Sequence, residues 1–175
     1  HPASTQKIRS ASPIPLFKDG KLRPEVLDVL DVIAKTGMAL ASGHIHVSET
    51  IIVFAEAKRR GVERLIFTHP EDIVGASFED TKEIAKLGAY VEHSLGFFIE
   101  GSKFRNRSND ELRAFIDCVG FERTILCSDL GQMGTLLPLE GLRRGVATCL
   151  SLGYSDSEIH AMVATNAGAV IGLDD

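Results

Sequence analysis

The chain has 175 residues, a net charge of −5, 44% hydrophobic residues and 25% charged residues. This suits one soluble domain with a sizeable core, and the weakly acidic balance gives no reason to expect a nucleic-acid or anionic-membrane partner. No run of 18 apolar residues occurs, so no membrane-spanning helix is expected.

Residues 1–23 read as a loop-like leading segment, with Pro2, Pro13 and Pro15 and a turn at Lys18-Asp19-Gly20, and with room for a short ordered insertion. The sequence starts at His1 and the residues after it are polar. No signal peptide is expected in this stretch, and a fragment or a processed chain is expected. Residues 1–175 are taken as a single domain. Pro24 suits the first turn of a helix, and the apolar face of residues 24–35 runs to a stop at Gly37.

The stretch 38–49 (MALASGHIHVSE) is the first of a recurring form. A run of small and apolar residues ends at Gly43-His44, a polar turn follows, and residues 50–61 have helical spacing. The form returns at 64–70 (RLIFTHP), ending in His69, and at 89–94 (AYVEHS), ending in Glu92 and His93. It returns again at 124–131 (TILCSDLG), ending in Asp129. Between these strands, Ser77 with Asp80 and Ser108 with Glu111 have the spacing of capping boxes that open helices, and Ser155 with Glu158 gives a third. Residues 97–107 and 132–137 read as loops, 138–152 as a helix, and 166–173 as one or two further helical turns. Glycines 37, 61, 88 and 120 stand before the strands. Strands separated by helices must be parallel, with right-handed crossovers. The fold class is therefore α/β, and four such units form half of an eight-fold barrel or a small open sheet.

Chemistry in parallel α/β sheets gathers at the carboxyl ends of strands. His44, His69 and Asp129 each stand at such an end, and imidazole and carboxylate are good ligands for zinc and similar divalent ions. Taken singly, each has a plain reading as a loop, turn or capping residue. Their equivalent places in a repeat argue for one metal site with a common mouth. His46 would form an HxH pair with His44 if the strand continued; a loop position, contacting substrate or facing solvent, is preferred because Val47-Ser48-Glu49 already leads into a helix. Glu92 and His93 are adjacent, so only one faces the interior. Either is a substrate contact or a rim salt bridge, and Gln132 is placed on the same rim. Cys127 is in phase with Asp129 and is expected inward as a small core residue. Cys118, Cys127 and Cys149 form no CxxC pair, so free thiols in a reducing cytoplasm are expected.

Gly43-His44, Thr68-His69-Pro70, Ser128-Asp129 and the closing residues 166–173 (NAGAVIGL) together resemble the carboxyl-terminal half of an amidohydrolase-superfamily protein. Ala167 stands where that superfamily's ending usually has proline. The resemblance runs from about Pro24 onward. It implies a TIM-type (β/α)8 barrel, with strands five to eight ending at His44, His69, residues 89–94 and Asp129. It also implies one or two divalent ions, zinc foremost, with His44 and His69 as ligands and Asp129 as both ligand and base toward the attacking water. The superfamily's first-strand HxH pair and its fourth-strand lysine are not in this chain. An amino-terminal half of the barrel or a second copy of the chain is therefore expected as a partner, beside a small-molecule substrate.

The activity so implied is metal-dependent hydrolysis of an amide, ester, lactone or phosphoester. Metal-dependent decarboxylation in the same superfamily is an alternative, as is a non-catalytic module binding a metal or small ligand. A phosphoesterase of the polymerase-and-histidinol-phosphatase type, built on His44 and His46 as a first-strand pair, has too little chain after it.

Overall fold

A computed structural model describes residues 14–173. Of the leading segment, residues 1–13 lie outside this range. Within the rest of that segment, strands β1 (Phe17–Lys18) and β2 (Lys21–Leu22) form a small antiparallel hairpin, with Asp19 and Gly20 both at positive φ in its turn. Helix α1 (Pro24–Thr36) follows, with proline in its first turn and Gly37 as a left-handed cap.

Four strands, β3 (Leu40–Ala41), β4 (Leu65–Thr68), β5 (Tyr90–Ser94) and β6 (Thr124–Cys127), then form one sheet in sequence order. Every neighbouring pair is parallel. The crossovers carry α2 (Val47–Arg59), α3 (Phe78–Lys86) and α4 (Asn109–Val119), and α5 (Pro138–Ser151) follows β6. The chain closes with α6 (Asp156–His160), a π-helical turn at Ala161–Thr165, and α7 (Asn166–Ile171). Three helix starts are full capping boxes: Ser77 with Asp80, Ser108 with Glu111, and Ser155 with Glu158. In each, two backbone N–H groups that the helix leaves unpaired gain side-chain acceptors. Among the described residues, no helix is long and apolar enough to cross a membrane.

The two faces of the sheet differ. Side chains alternate along a strand, so the register places Leu65, Phe67, Val91 and Leu126 on one face, all buried under the helices. The other face carries Ala41, Ile66, Thr68, Tyr90, Glu92, Ser94, Ile125 and Cys127. Ala41 there is exposed, and Ile66, Thr68, Tyr90 and Glu92 are only half-buried. This is a half barrel, with its helical layer on one side and the would-be interior on the other.

Helix α5 lies close against the loops that leave β5 and β6. Its buried face is small: Gly141, Gly145 and Cys149, at four-residue spacing. A Cβ on Gly145 would overlap the fully buried Leu95, the residue after β5. Overpacking of that kind typically costs 1–3 kcal/mol. Gly145→Val is therefore expected to destabilise the protein by about 2 kcal/mol, read as a lower urea midpoint with unchanged slope.

Candidate metal and catalytic site

Hydrogen bonds beyond the strand ends keep the ladder going into the loops. Ser42 N–H donates to the Ile66 carbonyl (2.9 Å), His69 N–H to the Glu92 carbonyl (3.0 Å) and Gly96 N–H to the Ser128 carbonyl (3.1 Å). Each loop thus leaves the sheet in a fixed direction. Strand β3 is shorter than the stretch 38–44 suggests. After Ser42, Gly43 takes φ 58°, a left-handed turn that suits a residue without a Cβ, and it carries His44 out to the mouth. His69 and Asp129 also adopt positive φ, 54° and 48°, although neither is glycine. Such backbone is costly for L residues and persists where surrounding structure fixes it.

His44, His69, Ser94, Gly96, Asp129 and Gln132 line one cavity of about 290 Å³, together with Ile73, Phe97 and Phe104. The rings of His44 and His69 stack, with centroids 5.5 Å apart and planes at 27°. Phe97 meets His69 edge-on at 6.5 Å. His69 Nε2 lies 3.7 Å from Asp129 Oδ2. Its other nitrogen, Nδ1, is 2.9 Å from Ser94 Oγ, and the same hydroxyl donates to Asp129 Oδ2 at 3.0 Å. His69 is buried, whereas the Asp129 side chain is 43% exposed. The cavity thus presents an imidazole nitrogen and a carboxylate oxygen side by side.

Three residues placed at the site from sequence lie elsewhere. His46 is the N-cap of α2: its Nδ1 is 2.9 Å from Ser48 Oγ and accepts the Ser48 N–H at 3.3 Å. The loop position holds and the HxH pair does not, because helix α2 begins at Val47; its first turn takes the imidazole, so the ring serves the helix start. His93 points the opposite way from Ser94. It is fully buried against Phe115 (centroids 5.6 Å apart), with Nδ1 3.5 Å from Glu71 Oε2, so it is not a cavity contact. Glu92 is on the inner face beside Ile125 but does not line the cavity. Cys127 is on that face too, 3.9 Å from Ser94 Oγ. Burial, and after it the Glu92 carboxylate, drives the Cys127 thiol far above its usual range, and burial pushes Cys149 up to about 11. Neither offers a thiolate nucleophile near neutral pH.

Two contributors escaped the sequence reading. Ser94 ends β5 in phase with Glu92, a phase readable from the alternation in YVEHS. Glu71 is fully buried, and its Oε1 accepts the Ser94 N–H at 2.8 Å. Arg107 donates from Nη2 to the Glu71 carbonyl. A glutamate two residues past a strand-end histidine gives no periodic signal.

The positive φ at Asp129 makes a measurable difference between two variants that both lose the carboxylate. Asp129→Gly is expected to be more stable than Asp129→Ala by about 1 kcal/mol, since only alanine keeps the left-handed penalty. Urea unfolding of the pair checks this.

Comparison with solved structures finds amidohydrolase-like barrels. An amidohydrolase from Burkholderia multivorans with bound zinc matches at TM-score 0.63 and 14% identity, covering 86% of this chain and 58% of that one. The phosphotriesterase homology protein from Escherichia coli, complexed with phosphate in its active site, matches at TM-score 0.62 and 17% identity, with 87% and 56% covered. N-acetyl-D-glucosamine-6-phosphate deacetylase from Mycobacterium smegmatis matches at TM-score 0.54 and 18% identity, with 86% and 43% covered. At these identities the likeness is one of fold, and the chain spans less than two thirds of each. No curated protein matches the sequence. A family model does, over residues 1–92, more than half of the chain, and its family is described only as one of unknown function. The chain belongs to that family, DUF6282.

Proposed function

We propose that this chain is the carboxyl-terminal half of a metal-dependent hydrolase of the amidohydrolase type, acting on an amide, ester, lactone or phosphoester of a small molecule. The observation that carries this reading is the pair His69 Nε2 and Asp129 Oδ2, 3.7 Å apart in one cavity with His44 stacked alongside. Zinc bonds to nitrogen and oxygen are about 2.0–2.2 Å, so two ligands of one ion stand roughly 3–4 Å apart. The donor types also fit a divalent ion. Among the described residues, no group of three or more His, Cys, Asp or Glu side chains gathers closely enough to hold an ion. On this reading His69 and Asp129, with His44 beside them, are part of a ligand set, and the remainder comes from an amino-terminal half-barrel or a second copy of the chain. That partner also covers the open inner face and the free edges of β3 and β6. The bound zinc of the Burkholderia protein supports the choice of metal.

When bound, a divalent ion polarises the group under attack and acidifies water. The chain's own side chains do the rest. The half-exposed Asp129 carboxylate is placed to take a proton from the attacking water and later to return it to the leaving group. Phe97, Phe104 and Ile73 give the cavity an apolar wall against the non-reacting part of a substrate, and the Gln132 amide offers it a donor and an acceptor. The incomplete ligand set favours a second reading, a non-catalytic module that binds a metal or small ligand.

Zinc titration and hydrolysis of a lactone, ester, amide and phosphoester panel by the full-length protein separate the two. Chelation should abolish turnover and added zinc restore it. Asp129→Asn should lower turnover by about 10²–10⁴-fold while keeping weakened zinc binding, and His69→Ala should lose zinc binding. Tight zinc binding with no turnover across the panel would support the module. Absence of zinc or manganese binding would overturn both metal readings.

A further inference from the structure

We infer that Ser94 is the positioning residue of this site, its single hydroxyl proton fixing which nitrogen of His69 is left bare; the purpose of that device rests on the metal reading above. A serine hydroxyl has one proton and two lone pairs. Ser94 Oγ has two strong neighbours, His69 Nδ1 at 2.9 Å and Asp129 Oδ2 at 3.0 Å, while Cys127 Sγ at 3.9 Å is a weak one. A carboxylate only accepts, so the hydroxyl proton goes to Asp129. Ser94 then has only lone pairs for His69, and a neutral His69 must donate from Nδ1. Its Nε2 is left as a bare lone pair, 3.7 Å from the same carboxylate oxygen. Two lone-pair donors facing each other with no proton between them are arranged for a cation.

The hydroxyl has no easy way out of this arrangement. Ser94 is fully buried. Its backbone N–H is fixed from behind by Glu71 Oε1 at 2.8 Å, and Glu71 is itself fully buried beside His93. Remove the hydroxyl and His69 has no acceptor at Nδ1. The proton then moves to Nε2 and is donated to Asp129. The pair closes on itself and a ligand nitrogen is lost. Partners that orient a ligating histidine typically matter by 10–100-fold in metal affinity.

Nitrogen NMR of the metal-free, full-length protein with 15N-labelled histidine at neutral pH reads the tautomer directly, with the His69 signals assigned by their loss in His69→Gln. The expected result is a protonated Nδ1 and a bare Nε2 in the wild type. Ser94→Ala should shift the proton to Nε2 and weaken zinc binding about 10–100-fold. Ser94→Thr, which keeps a hydroxyl, should retain the wild-type tautomer. A wild-type Nε2–H overturns the inference without need of any variant, as does an Ser94→Ala protein that stays Nδ1–H. A wild-type Nδ1–H, lost in Ser94→Ala, upholds Ser94 even if zinc does not bind, in which case only the metal reading falls.

Discussion

The constraint on which the rest depends is that four strands run parallel and in sequence order. Parallel strands need a crossover each, and the crossovers place α2, α3 and α4 over one face. Every strand then ends at the same edge. His44, His69, Ser94 and Asp129 reach one cavity because each stands at or just beyond such an end, not because they are near in sequence. The last step is local. Gly43, His69 and Asp129 turn with positive φ at the points where their loops leave the sheet. Two of these three residues, His69 and Asp129, face each other across the cavity, and backbone strain of this sort concentrates where a side chain must be aimed.

The same topology creates an imbalance in burial. On the helix side, Phe54, Phe67, Val91, Ile84 and Leu65 are fully buried and form one continuous core. On the other side the register lines up Ala41, Ile66 and Tyr90 with little above them. Apolar surface in a barrel interior is normally packed in layers by strands from all round the ring. The half barrel thus carries a built outer wall and a cavity mouth, while its inner face stays exposed or half-buried at Ala41, Ile66 and Tyr90.

Much of this was legible in the sequence, and the failures have identifiable causes. The strand order and the three capping boxes could be read because they rest on local chemistry: glycine stops, apolar runs and Ser-x-x-acid spacing. Strand β3 came out shorter than its apolar run because Gly43 turns the chain before His44. His46 does stand in the loop just ahead of the helix, as Val47-Ser48-Glu49 indicated, but its capping role was not legible, because that role is more often filled by Ser, Thr, Asp or Asn. Glu92 and His93 were alternatives for the inner face, and the register gives it to Glu92, with His93 buried beside Phe115. Ser94, not His93, shares the inner face with Glu92, and alternation decides that once the strand's last residue is known. Glu71 was beyond reach, since its role depends on a loop folding back beneath β5.

The central question is whether a cation sits between His69 and Asp129. The direct measurement is an anomalous difference map at the zinc absorption edge, from crystals of the full-length protein grown with zinc. The expected result is a peak within about 2.0–2.2 Å of both His69 Nε2 and Asp129 Oδ2. A zinc peak confined to other side chains, with His69 Nε2 hydrogen-bonded directly to Asp129, would contradict it.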